Sequence, residues 1–284
     1  MTLYKQLLTR NACYITGKSL KPIGAMLHST GAKNPNLSRY APGDAIIGIN
    51  PNGNHWNIYH PGGRDIGPHT YVNRDGDYTC DKCGGRQVAV HAFIGKTADG
   101  SVATVQTLPW TMRAWHGGKS KANNQYIGVE ICEDGLEDPV YFATVYREAV
   151  ELFAMLSQLF KWDPLADGTI ICHAEGYKRG VASNHGDVLH WFPRHGKTMD
   201  DFRADVARTL QGEEDEDMAP RYNTVAEIHD AASWADTTIR KMIDKGYISG
   251  GGKKDANGDP ADMNLSMDML RMLVMLNAAG AFDK

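Results

Sequence analysis

Several apolar runs in this chain stop at a side chain that can bind a metal, and this limits the available folds more than any other feature. Lys-Pro-Ile-Gly-Ala-Met-Leu runs into His28, and Thr-Ile-Ile-Cys runs into His173. Ser-Asn-His-Gly-Asp then places Asp187 a short way downstream. Short apolar runs bounded by polar residues read as strands buried in a sheet. A run that ends on a ligand-capable residue presents that residue at the sheet edge. Two neutral imidazoles and a carboxylate leave the fourth tetrahedral position of Zn²⁺ open for water, as a hydrolytic site requires. A single histidine at a strand end is ordinarily a surface or hydrogen-bonded residue, so the constellation carries the expectation of a zinc hydrolase.

Glu130 adds to it. In Tyr126-Ile-Gly-Val-Glu-Ile-Cys132, Ile127, Val129 and Ile131 face one way, and Glu130 and Cys132 the other. A carboxylate within an apolar strand is costly to bury unless it is paired or functional. Beside a metal it can take a proton from water. The alternative is a glutamate on a solvated sheet face.

Around these residues the pattern mixes strands and helices. Val88 to Thr107 reads as a hairpin turning at Ala98-Asp99-Gly100. A helix starts near Pro139, a residue suited to a first turn, with Ala149, Leu152, Phe153, Leu156 and Phe160 at helical spacing. Another starts near Met199, carrying Phe202, Val206 and Leu210. With no strict βαβ rhythm, the expected fold is α/β, a mixed central sheet flanked by helices. The acidic stretch from Gln211 to Pro220 reads as a linker. It separates residues 1–210 from residues 221–284, a small, mostly helical C-terminal module. There one helical pattern carries Trp234, Ile239, Met242 and Ile243 up to Gly246. The other starts at Ser266, a suitable N-cap, and carries Met269, Leu270, Leu273, Val274 and Leu276.

A net charge of −4 and the absence of a Lys/Arg block speak against a nucleic-acid partner. No run approaches a membrane span, and the first residues lack the apolar core of a signal peptide, so synthesis in the cytoplasm is expected. Five scattered cysteines, two of them (Cys132 and Cys172) in apolar runs, fit free thiols better than a disulfide framework.

Four motifs occur in order: Leu27-His28-Ser29-Thr30, Ala114-Trp115-His116-Gly117-Gly118, Ile127-Gly128-Val129-Glu130-Ile131-Cys132 and Cys172-His173-Ala174-Glu175-Gly176. Over residues 20–210 the chain resembles the zinc N-acetylmuramoyl-L-alanine amidases that share their fold with peptidoglycan-recognition proteins, in particular phage endolysins. The resemblance implies zinc on His28, His173 and Asp187, with Glu130 as the catalytic carboxylate. It implies bacterial peptidoglycan as the partner, met at the cell wall after release from the cytoplasm. Trp115 and His116 would line the substrate groove; the equal alternative is a glycine-rich turn with a satisfied histidine. Where such amidases often carry a lysine two residues before the third ligand, this chain has His185, which could still donate to an oxyanion. The usual Asp-Pro-Gly is Asp187-Val188-Leu189 here, so the ligand loop differs in shape. Two other readings of the same resemblance are a non-catalytic peptidoglycan-binding protein and a cytosolic amidase recycling muropeptides.

Cys80-Asp-Lys-Cys83 is half a zinc knuckle. With two of His55, His60 and His69 it would make a second, structural zinc site; an exposed thiol pair is the other reading. Asp255-Ala-Asn257-Gly-Asp259 lacks the glycine position and the glutamate of an EF-hand, and reads as a turn. Residues 221–284 resemble, more loosely, the wall-binding modules appended to endolysins.

Overall fold

The first of two compact units, Met1–Asp215, runs β1 (Leu3–Lys5), α1 (Ala12–Thr16), β2 (Gly24–Ser29), β3 (Tyr71–Arg74), β4 (Asp77–Cys80), β5 (Ala92–Lys96), β6 (Val102–Gln106), α2 (Ser120–Asn123), β7 (Tyr126–Ile131), α3 (Pro139–Phe160), β8 (Ile170–Cys172), α4 (His173–Lys178) and α5 (Met199–Leu210). The computed structural model describes residues 1–49, 71–74, 77–80, 88–212, 221–278 and 281. Six strands form one sheet in the order β1-β6-β5-β7-β2-β8, and β3 pairs with β4 in a separate two-stranded sheet. All neighbours in the large sheet are parallel except β5 and β6, so the sheet is mixed. The β5–β6 hairpin turns at Asp99, whose carboxylate accepts from Thr97 Oγ1 at 2.6 Å and from the Ser101 N–H at 3.0 Å.

β2, β7 and β8 lie in the parallel half. Every residue of β2 is buried, and β7 is buried on both faces. Parallel strands covered on both sides read as apolar runs, not as an in-out alternation. The second face of β7, which carries Cys132 and Glu130, is therefore covered rather than solvated. Helix α3 starts where Asp138 accepts from the N–H groups of Val140 and Tyr141, with Pro139 in its first turn. It packs on α5, where Phe153 meets Phe202 edge to face at 5.1 Å and the Tyr146 hydroxyl donates to Asp205 at 2.7 Å. Thr198 and Asp201 cap α5 reciprocally.

The second unit, Glu216–Lys284, contains β9 (Arg221–Tyr222), α6 (Val225–Ala232), α7 (Asp236–Asp244), β10 (Leu265–Ser266) and α8 (Met267–Ala278). β9 and β10 pair antiparallel, and Ile228, Ala235, Ile239 and Leu270 form the centre of its core. Ser266 Oγ accepts the Met269 N–H at 3.2 Å, as an N-cap does. The inward stripe of α8 is narrower than the sequence pattern suggests: Leu270 is fully buried, whereas Met269 and Leu276 face solvent. Both lie about 100° round the helix from that stripe. Trp234 falls in a 3₁₀ turn before α7 and is exposed. The sequence pattern passed over α6, although Thr224 and Glu227 spell its capping box.

Among the described residues no helix is long and apolar enough to cross a membrane. Cys13, Cys132 and Cys172 are free and buried. The Cys80 side chain, Cys83, His55, His60 and His69, and the acidic residues 213–220, lie outside the described residues.

Candidate metal centre and catalytic site

The site follows from strand register. Leu27 of β2 lies opposite Cys172 of β8, so His28 and His173 emerge side by side one residue later. On the other flank His28 lies opposite Glu130 of β7, which puts both side chains on one face. Ligands of α/β sheets collect outside such carboxyl ends of parallel strands. His173 is also the first residue of α4, whose start is held by Glu175. That carboxylate accepts the Cys172 N–H at 3.0 Å and two bonds of 3.1 Å from Arg203 of α5. Asp187 opens a 3₁₀ turn, Asp187–His190, at a φ of 44°, a left-handed conformation that aspartate tolerates better than most residues. His190 at the end of that turn lies 3.0 Å from Glu133, which also accepts the Gly31 N–H at 3.1 Å. The turn bearing Asp187 is thereby tied to the ends of β2 and β7.

Three donor atoms converge. His28 Nδ1 lies 3.2 Å from Asp187 Oδ2, His173 Nδ1 lies 3.0 Å from the same oxygen, and the two Nδ1 atoms are 3.1 Å apart. Donors held at about 2.0–2.1 Å around a tetrahedral zinc lie roughly 3.3 Å from one another. The triangle therefore has the dimensions of one face of a zinc coordination sphere, and His28, His173 and Asp187 form the candidate metal cluster among the described residues. Burial holds His28 below the usual imidazolium range, with Asp187 pulling the other way. Burial opposes the charge on Asp187, but the facing His173 and His28 rings outweigh it and hold the carboxyl below its usual range. A neutral His28 imidazole facing an ionised Asp187 carboxylate has the protonation a zinc site needs.

Glu130, His185, Trp115 and His116 line the same cleft of about 390 Å³, together with Ser29, Thr30, Val88 and Val90. Burial, then Asp187 and Glu133, pushes the Glu130 carboxyl well above its ordinary range, and its Oε2 is buried without a hydrogen-bond partner. A carboxylate so placed is a strong proton acceptor facing a cavity. His185 is exposed, its ring 4.6 Å from that of His173. Trp115 is buried with Arg113 over its ring at 5.0 Å. His116 borders the cleft but turns its nitrogens inward, Nδ1 to His28 Nε2 at 2.9 Å and Nε2 to the Tyr126 carbonyl at 3.1 Å. It has no free ring nitrogen for a ligand in the cleft.

Sequence reading assigned no role to Ser183, Glu133 or His190. Ser183 Oγ lies 3.1 Å from His173 Nε2. It stands in the quoted Ser-Asn-His-Gly-Asp run, and the nearby Gly117-Gly118 was the available signal of a close approach. Glu133 and His190 act through tertiary contact alone and leave no local pattern.

Residues 20–188, more than half of the chain, match the family model described as N-acetylmuramoyl-L-alanine amidase. Among solved structures, the Staphylococcus aureus hydrolase AmiA in complex with its ligand is 16% identical, with 75% of this chain and 86% of that chain covered at a TM-score of 0.48. PlyL is 17% identical, covering 72% and 97% at 0.46. A mutant endolysin from Bacillus subtilis is 18% identical, covering 72% and 99% at 0.41. No curated protein matches the chain.

Proposed function

This chain belongs to the N-acetylmuramoyl-L-alanine amidase family, and on that premise we propose that its cleft cuts peptidoglycan by zinc-dependent hydrolysis, in the manner of a phage endolysin. The bond is the amide between N-acetylmuramic acid and the L-alanine of the stem peptide. One observation carries the metal reading: the 3.0–3.2 Å triangle of His28 Nδ1, His173 Nδ1 and Asp187 Oδ2. When bound there, zinc supplies Lewis-acid polarisation of the scissile carbonyl and a lowered pKa for water.

The chain's own residues do the rest. Glu130 takes the proton of the attacking water and passes it to the leaving amine. Its unpartnered, buried Oε2 beside the ligand edge supports that role. His185, on the open side of His173, donates to the carbonyl oxygen as negative charge develops. Trp115 and the valines at 88 and 90 give the cleft an apolar wall. An acidic third ligand favours catalysis over a binding-only protein on this fold.

The second unit is read as a wall-binding module, which raises the effective concentration of the first at its polymeric substrate. The direct test is the metal content of the purified protein together with the amine termini released from cell walls. One equivalent of zinc and new L-alanine amino termini are expected; zinc-free protein that still releases them ends the metal reading.

A further inference from the structure

Behind the donor triangle, each ligand histidine makes a second hydrogen bond that leads to a main-chain carbonyl. From His28 the path runs from Nε2 to His116 Nδ1 at 2.9 Å, then from His116 Nε2 to the Tyr126 carbonyl at 3.1 Å. From His173 it runs from Nε2 to Ser183 Oγ at 3.1 Å, then from Ser183 Oγ to the Gly117 carbonyl at 3.3 Å. His185 Nδ1 also lies 3.1 Å from the Ser183 hydroxyl.

A carbonyl only accepts, so each path has one direction. The Tyr126 carbonyl takes the proton on His116 Nε2, which leaves His116 Nδ1 as an acceptor. That acceptor needs the His28 proton on Nε2. The single Ser183 hydroxyl hydrogen goes to the Gly117 carbonyl or to His185 Nδ1, and either leaves Ser183 to accept from His173 Nε2–H. We propose, resting on the zinc reading above, that His116 and Ser183 are positioning residues: they hold His28 and His173 as Nε2–H tautomers with both Nδ1 lone pairs turned to the metal.

Space has been made for both. A Cβ on Gly128 would come within 2.5 Å of the His116 ring, and one on Gly118, at a φ of +67°, within 2.2 Å of Ser183 Oγ. The main chain bearing His116 is pinned by Asn123 Oδ1, which accepts the N–H groups of His116 at 2.9 Å and Gly117 at 2.8 Å. The relay thus explains a glycine in each of two motifs, Ile127-Gly128-Val129 and His116-Gly117-Gly118.

The test uses the full chain and zinc alone, with affinity read by competition against a chelator. His116→Phe keeps a ring of similar size but removes the acceptor, and Ser183→Ala removes a single oxygen. Each should weaken zinc binding by about 10–100-fold. His116→Asn restores an acceptor near the old Nδ1 and should recover part of the loss, which a purely space-filling role would not do. In zinc-loaded wild type, imidazole ¹⁵N spectra should show His28 and His173 protonated at Nε2. Variants that hold zinc as tightly as wild type, or an Nδ1–H signal from either ligand, overturn the relay while leaving the zinc reading intact. A wild type that binds no zinc overturns both. Should His116→Phe fail to fold by circular dichroism, Ser183→Ala and the spectra still decide.

Discussion

The two units bury different kinds of side chain. The first places His28, Ser29, His91, Asn123, Glu133, Glu148, His173 and Asp205 in its interior, whereas the second, among the described residues, buries only Thr238 and Ser266 beside its apolar core. Buried polar groups are costly unless each finds a partner. In the first unit Glu148 accepts from Thr104 at 2.8 Å and Asp205 from Tyr146 at 2.7 Å, while His28 and His173 face Asp187. The core of the second unit is, among the described residues, almost wholly apolar. On the proposed function, chemistry would lie in the first unit and attachment in the second.

The sharpest way to break that division is at the ligands. His28→Ala or His173→Ala should abolish both bound zinc and amine release, because two remaining protein ligands rarely keep the ion. Full zinc occupancy in either variant by atomic emission would remove these residues from the centre. Next in size is Glu130→Gln, which keeps the shape but cannot accept the proton. Zinc should stay and turnover fall by roughly 10²–10⁴-fold; near-normal turnover would place the proton acceptor elsewhere.

Ending the chain after Gly212 tests the other side. Cleavage of small soluble muropeptides should persist, since every site residue precedes the cut, while lysis of intact walls should drop by about tenfold or more. Equal lysis by both forms would leave the second unit without an attachment role. The smallest effect on chemistry is expected from Leu270→Ala in the second core. It should cost that unit about 2–5 kcal/mol, read as a lower unfolding midpoint, with muropeptide cleavage unchanged. A parallel loss of cleavage would show the units to be energetically coupled.

Much of the catalytic edge was legible because strand ends leave a local mark: apolar runs stop at His28 and His173, and α3 and α5 announce themselves by period and caps. The covered second face of β7 was not legible, since alternation looks the same whether helices or water lie beyond it. The sequence around His116 fits a groove residue and a satisfied histidine in a glycine-rich turn equally, and only the tertiary structure shows its nitrogens turned to His28 and Tyr126. The short β1 pairs with β6, about a hundred residues away, so three residues had no pattern to display. In the second unit, period alone could not separate Leu270 from Met269, one step apart on the helix.

The register that aligns β8, β2 and β7 also dates the site within folding. His28 must meet His173 across 145 positions of sequence and Asp187 across 159. Loops this long close late, because their entropy is lost before any contact repays it. On the zinc reading, a nascent chain that has passed the β5–β6 hairpin and even α3 would hold one ligand and a stranded carboxylate. Metal capture would then wait until β8 and the turn bearing Asp187 have both docked. On that reading, activity would appear only once almost the whole first unit had been made.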